Sequence, residues 1–262
     1  MNSKEAQLKA ISRLLDIMDD LRKSCPWDKK QTFESLRKLT IEETYELADA
    51  IVEGDKEEIK KELGDILLHI VFYSKLGSET NSFDFADVAN GICEKLIYRH
   101  PHIYGDTKVV NAEEVLENWE ALKLKEKKDK RVLDGVPKSL PALIKANRIQ
   151  EKVRGVGFDW DKKEQVWNKV EEELEELKAE VFQTDNFEKS EAEFGDLLFS
   201  MINAARLYGI DPEIALERTN KKFTKRFNYL EKQTISKGKS LHDMSLKEMN
   251  KIWEEAKTKD YE

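Results

Sequence analysis

The sequence predicts an all-α protein built as two tandem helical bundles, residues 1–130 and 131–262. Three observations carry this. Apolar residues recur at helical spacing along almost the whole chain. No stretch shows sustained apolar/polar alternation, or a hairpin turn between β-branched runs. The second half of the chain repeats the first.

Helices are expected near 4–23, 33–53, 56–78, 84–99, 111–127, 140–154, 162–182, 187–208, 212–236 and 245–258. Gly54-Asp55 ends the second of these. Gly209-Ile210-Asp211-Pro212 ends another and places proline at the first position of its successor, where its missing N–H costs nothing. EKKDKRVLDGVPKSLPAL at 126–143 combines a charge run with Gly135 and two prolines, the composition of a linker.

The repeat falls on either side of that linker. TIEETYEL (40–47) matches VEEELEEL (170–177), and ELGDILL (62–68) matches EFGDLLF (193–199). Trp27-Asp28-Lys29-Lys30 matches Trp160-Asp161-Lys162-Lys163. Lys95 and Arg99 match Lys222 and Arg226, and Trp119 matches Trp253. The offset stays between 127 and 134 residues, which means a duplicated domain rather than a solenoid.

Composition narrows the function. Charged residues make up 37%, against about 25% in an average soluble protein. The net charge of −8 argues against a general nucleic-acid groove, which needs a basic excess. Cys25 and Cys93 form no CxxC pattern or disulfide framework, as suits a reducing compartment. The charged N-terminus lacks a signal-peptide core, and no run approaches the ~18 apolar residues of a membrane span. A soluble, cytoplasmic protein without nucleic-acid or membrane partners is expected.

The repeated residues are acidic. On a helix turning about 100° per residue, Val170, Leu174, Leu177 and Val181 form one stripe, expected to face the core. Glu171 and Glu175 face water, and Glu172, Glu173 and Glu176 form a separate acidic face. Only those three glutamates recur in the first copy, as Glu42, Glu43 and Glu46. The next helix adds Glu193 and Asp196 (Glu62 and Asp65 in the first copy), one turn apart and so on one face. Gly195 between them suggests close approach of a neighbour. Carboxylates gathered in this way call for protonation or a hard cation, and an all-oxygen set suits Mg²⁺, with Mn²⁺ as the substitute. Neither helix has the Glu-x-x-His of a di-iron site. Lys222 and Arg226 share a face four residues apart, with Phe223 and Phe227 on the next stripe inward, and suit a polyphosphate. Trp253 is placed to stack on a nucleobase or cover the site. Trp27 and Trp160 are expected to pin the loops entering the acidic helices.

SCPWDKKQT, TIEETYEL, ELGDILL, RHPHIYG, LDGVPKSLPAL, GVGFDW, EELEEL, EFGDLLF and KKFTKRF, in this order, resemble the full-length bacterial MazG proteins over roughly 10–258. That resemblance implies two tandem MazG domains of the all-α nucleoside triphosphate pyrophosphatases. It further implies a homodimer and Mg²⁺-dependent hydrolysis of NTP or dNTP to monophosphate and pyrophosphate, in a house-cleaning or stress role. By resemblance Glu173, Glu176, Glu193 and Asp196 are the metal ligands, with Glu172, Glu173 and Glu176 as the catalytic group. Lys189, Lys222, Arg226 and Trp253 bind the nucleotide. Glu42, Glu43, Glu46, Glu62, Asp65, Lys95, Arg99 and Trp119 make a second candidate site. The first copy departs from the second: Pro101 ends its basic helix just after Arg99, and Glu58 stands where the second copy has Lys189. The second domain is therefore expected to be the main active site. The alternatives are an alarmone hydrolase acting on guanosine tetraphosphate, or a non-catalytic nucleotide-binding helical dimer.

Overall fold

The structure, a computed structural model, describes residues 1–111, 114, 115, 118, 119, 122, 131–183, 186–236, 238 and 240–259. Most of the helix expected at 111–127, and the first residues of the expected linker, lie outside the described residues. The chain forms two compact units, Met1–Leu122 and Lys123–Glu262. Among the described residues there is no strand, and no helix is long and apolar enough to cross a membrane.

The first unit contains α1 (Lys4–Ser24), α2 (Phe33–Glu53), α3 (Lys56–Glu79), α4 (Phe85–Arg99) and the single turn α5 (Pro101–Tyr104). Each start is chemically specified. Ser3 accepts from the Ala6 N–H, Thr32 and Ser35 cap each other reciprocally, Asp55 accepts from Glu57 and Glu58, and Asp84 pairs with Asp87. Gly54, at φ 73°, closes α2 in the left-handed conformation, so α3 folds back along it. The core of the unit is Met18, Leu36, Val71, Phe72 and Leu76. Arg22 ties α1 to α3 through both Glu79 oxygens, at 2.9 and 2.6 Å. Pro101 does stop α4, but its fixed φ also starts α5.

The second unit contains α6 (Ala142–Arg154), α7 (Val166–Val181), α8 (Phe187–Leu207), α9 (Pro212–Ile235) and α10 (Leu246–Lys259). Asp211 caps α9 with Pro212 at its first position, as the sequence indicates. The helix expected from 162 begins instead as a 3₁₀ turn, Lys163–Gln165. There the Lys162 N–H donates to the Gln165 side chain at 3.1 Å, which tightens the entry before α7. Val166, Val170 and Ala204 form the buried cluster between α7 and α8. α9 packs on α10, and Leu230, Ile252 and Ala256 are the buried apolar residues of the two helices.

The expected core stripe of α7 is corrected. Its buried residues are Val166, Val170, Glu173 and Leu177, while Leu174 and Val181 are exposed. The buried line is rotated by roughly 40° from the purely apolar one. It thereby draws a carboxylate inward and leaves two aliphatic side chains outside. Phe223 and Phe227 are also exposed rather than directed inward, and they stack on each other with centroids 6.3 Å apart.

Candidate active site

In each unit the helix pair after the tryptophan loop brings its two acidic faces together. One carboxylate oxygen each from Glu173, Glu193 and Asp196 lies within 4.8 Å of the others, and Glu43, Glu62 and Asp65 repeat the arrangement in the first unit. The Glu-x-x-Asp spacing supplies two of the three acids from one helix turn, and the short α2–α3 and α7–α8 turns bring the third.

The burial of the acids differs between the copies. Glu173 is the buried acid of the second unit, at 6% exposure, and Glu62 that of the first, at 1%. Each is partnered by a lysine: Lys61, which the sequence places near the position matching Lys189, and Lys169, which the sequence reading did not single out. Lys169 Nζ reaches Glu173 at 2.7 Å and Glu172 at 2.8 Å. Lys61 reaches Glu62 at 2.9 Å and Glu58 at 2.6 Å. Hydrogen bonds to these carboxylates raise both lysines above the ordinary range. The signal available in sequence was the i,i+4 spacing of Lys169 to Glu173.

Burial, with the surrounding charges of Glu176, Asp196, Glu173 and Glu180, raises the Glu193 pKa. Burial and the charges of Asp65, Glu46 and Glu62 raise that of Glu43. Glu176 and Glu46 thus contribute field to the clusters without joining the 4.8 Å sets. Glu172 and Glu42 are exposed, with lysines of their own helices, Lys169 and Lys38, beside them.

The residues fit a hard divalent cation. Each donor set is all carboxylate, one member of each (Glu193 and Glu43) is held above its ordinary pKa, and Glu62 Oε2 is buried with no hydrogen-bond partner among the described residues. A buried carboxylate oxygen left in this way is costly unless something positive meets it.

Other expected site residues lie elsewhere. Lys189 and Lys222 are exposed. Arg226 lies over the Trp253 ring at 5.9 Å, with Phe223 4.9 Å from the same ring. The first unit repeats this pairing with Arg99 over Trp119 at 5.5 Å, where His100 meets the ring edge-on. Lys95 is exposed. None of Lys189, Lys222, Arg226 or Trp253 lines the cavity of about 540 Å³ that adjoins Glu173 and Asp196. Trp160 does line it, instead of only pinning its loop. Gly195 and its counterpart Gly64 have no packing neighbour among the described residues within 4 Å of where a Cβ would stand, so none of those residues explains either glycine.

Comparison with known proteins agrees with this arrangement. The MazG nucleotide pyrophosphohydrolase domain matches residues 31–104 and 162–230. The chain is 42% identical over 254 residues to the nucleoside triphosphate pyrophosphohydrolase of Escherichia coli K12, covering 94% of this chain and 97% of that one. It is 41% identical over 251 residues to the nucleoside triphosphate pyrophosphohydrolase/pyrophosphatase MazG of Thermotoga maritima, covering 94% and 95%. The uncharacterized protein YabN of Bacillus subtilis is 46% identical over 251 residues, which span 94% of this chain but 51% of YabN. With both matched segments enclosing the paired acidic helices, the chain belongs to the MazG nucleotide pyrophosphohydrolase family.

Proposed function

We propose that this MazG pyrophosphohydrolase adds water across the α–β anhydride of nucleoside and deoxynucleoside triphosphates. The monophosphate and pyrophosphate leave, and the second unit is the principal site. The single observation behind this reading is the Glu173–Glu193–Asp196 cluster on adjoining helices, in a chain of the MazG nucleotide pyrophosphohydrolase family.

Glu173, Glu193 and Asp196 would hold Mg²⁺, with Glu176 completing the shell. When bound, the ion would polarise the phosphates and lower the pKa of an attacking water. Glu172, exposed and sharing Lys169 with Glu173, would take the proton from that water. Lys169, held by Glu172 and Glu173, supplies positive charge beside the developing negative charge. Lys189, Lys222 and Arg226, the last lying over Trp253, would steer and grip the polyphosphate. In the first unit the same carboxylates, Glu43, Glu46, Glu62 and Asp65, would hold a cation. There the basic helix stops at Arg99, whereas α9 continues nine residues past Arg226.

A homodimer is part of the proposal. Leu174, Val181, Phe194 and Leu198 stand exposed on the α7–α8 pair, as do Ile41, Tyr45 and Leu63 on α2–α3. Apolar surface on adjoining helices favours a covering partner. The open space over Gly64 and Gly195 would accommodate one.

The deciding assay supplies the purified chain with ATP, dATP and Mg²⁺ and separates pyrophosphate from orthophosphate. Pyrophosphate as the first product supports the proposal, and orthophosphate overturns it. Sedimentation velocity tests the dimer.

A further inference from the structure

The two acidic clusters differ in what lies beside the carboxylates. The Glu-x-Gly-Asp match puts α3 and α8 in register, so His69 stands where α8 has Ser200, and Phe72 where it has Asn203. In the second unit Ser200 and Asn203 line the cavity beside Glu173 and Asp196. In the first unit Phe72 is buried in the apolar cluster with Met18 and Leu36, and His69 is only 6% exposed.

His69 is buried at a cost. Its Nδ1 has no hydrogen-bond partner among the described residues, and neither has Oε2 of Glu62. A polar atom withdrawn from water in this way is an unmet demand in the fold. Ser200 in the second unit shows that the helical scaffold accepts a small hydroxyl at this position. Packing alone therefore does not call for an imidazole.

Both orphaned atoms belong to one face of α3. At about 100° per residue, His69 projects between Glu62 and Asp65, roughly 20° from the first and 40° from the second. Beyond it the same face continues as Phe72 and Leu76, both apolar and buried. The acids are thus its polar neighbours along that face. Asp65 and His69 are one turn apart, the i,i+4 spacing at which two side chains of a helix ligate one metal ion. Burial lowers the His69 pKa, and the Asp65 charge opposes that shift. The ring is then in its neutral, ligating form, within reach of the field of Asp65. The carboxylates that already stand within 4.8 Å of one another are Glu43, Glu62 and Asp65, with His69 outside that set.

We propose that the first unit is a Zn²⁺-class metal site, in which His69 joins Glu43, Glu62 and Asp65 as a nitrogen ligand, while the all-carboxylate second unit keeps Mg²⁺. The inference rests on the reading that the acidic clusters hold cations, and adds which metal each one takes. An imidazole favours Zn²⁺ and its first-row neighbours, whereas Mg²⁺ prefers oxygen ligands and retains its waters. The first cluster is also the more enclosed: Asp65 is half-buried where Asp196 is exposed. That suits an ion held permanently rather than one exchanged with each substrate.

The test uses the full chain in a His100→Gln/His102→Gln background, because those two rings, 5.5 Å apart, offer Zn²⁺ a second place to bind. Competition against a chromophoric chelator in excess Mg²⁺ should show one tight Zn²⁺ site. His69→Gln should weaken that site by about tenfold or more and change Mg²⁺ affinity by less than about twofold. Asp65→Asn should remove the tight site, and Asp196→Asn should spare it. Histidine-nitrogen NMR should show the His69 ring signal moving with the first equivalent of Zn²⁺ while that of His242 stays in place. Tight binding that Asp65→Asn removes but His69→Gln leaves intact overturns the inference and preserves the cation reading of the cluster. Zn²⁺ binding indifferent to Asp65→Asn overturns both. If His69→Gln does not fold, the ring signal of the unsubstituted His69 decides by itself, and a signal that does not move overturns the ligand.

Discussion

Lys169 Nζ stands 2.7 Å from Oε1 of the buried Glu173, one helical turn away on the same face of α7. The ammonium also reaches Glu172, at 2.8 Å. Without it, a buried carboxylate faces Glu193 and Asp196 uncompensated.

Lys169→Met should therefore destabilise the metal-free protein by about 1–2 kcal/mol, less than a fully buried pair because the lysine is partly exposed. Mg²⁺ should recover most of that loss. Thermal melts in chelator and in excess Mg²⁺ check both statements; equal losses in the two conditions would separate Lys169 from the cation site.

Glu173→Ala and Asp196→Ala should each lower pyrophosphate release by about a hundredfold or more, since each removes a proposed metal ligand. Glu43→Ala and Asp65→Ala should cost much less if the second unit does most of the turnover. Circular dichroism should stay helical in all four. A pair of second-unit variants with wild-type rates would displace the site.

The raised pKa values of Glu43 and Glu193 set a sign for pH dependence. An acid whose folded pKa lies above its unfolded value binds its proton more tightly in the folded state. Stability then falls as pH rises from the unfolded value through the folded one, and is regained on acidification. Glu79, Asp159 and His69 are shifted downward and carry the opposite sign, so the effect is read by difference: as pH drops from neutral toward the ordinary carboxylate range, metal-free protein should gain resistance to urea relative to a Glu43→Gln/Glu193→Gln variant. Mg²⁺ should flatten this trend, because a bound cation favours the ionised form. Metal-free wild-type and variant profiles that run parallel across this range would contradict these two shifts.

Gly77→Ala should destabilise the first unit by about 1–3 kcal/mol. A Cβ there would stand 2.7 Å from both the Phe83 ring and the Phe83 carbonyl, and the carbonyl belongs to backbone that cannot swing aside. Gly195→Ala, by contrast, meets open space within the chain and exchanges a poor helix former for a good one. It should be neutral or stabilising in a monomer, and harmful only where a partner packs over α8. Denaturation midpoints across a protein dilution series distinguish the two cases.

Much of this protein is legible in its sequence because its information is local. Helix caps such as Thr32 with Ser35, Asp55 and Asp211 act within three residues of themselves, so the helix ends could be read directly. The repeat singles out three of the five glutamates between 171 and 176, since Glu171 and Glu175 become Ile41 and Tyr45 in the first copy. The pairing of Arg226 with Trp253 and of Arg99 with Trp119 follows the same duplication.

What the sequence alone determined is therefore the all-helical class, the duplication and the identity of the carboxylates, all carried by spacing and repetition along one chain. Tertiary packing decided the rest. It chose Glu62 as the buried acid in one copy and Glu173 in the other. It turned Leu174 outward, and it opened beside Asn203 a cavity whose counterpart position is filled by Phe72. Helical periodicity fixes which residues share a face. How far that face rotates toward its neighbour depends on the volumes of side chains from helices distant in sequence, and no local pattern encodes that sum.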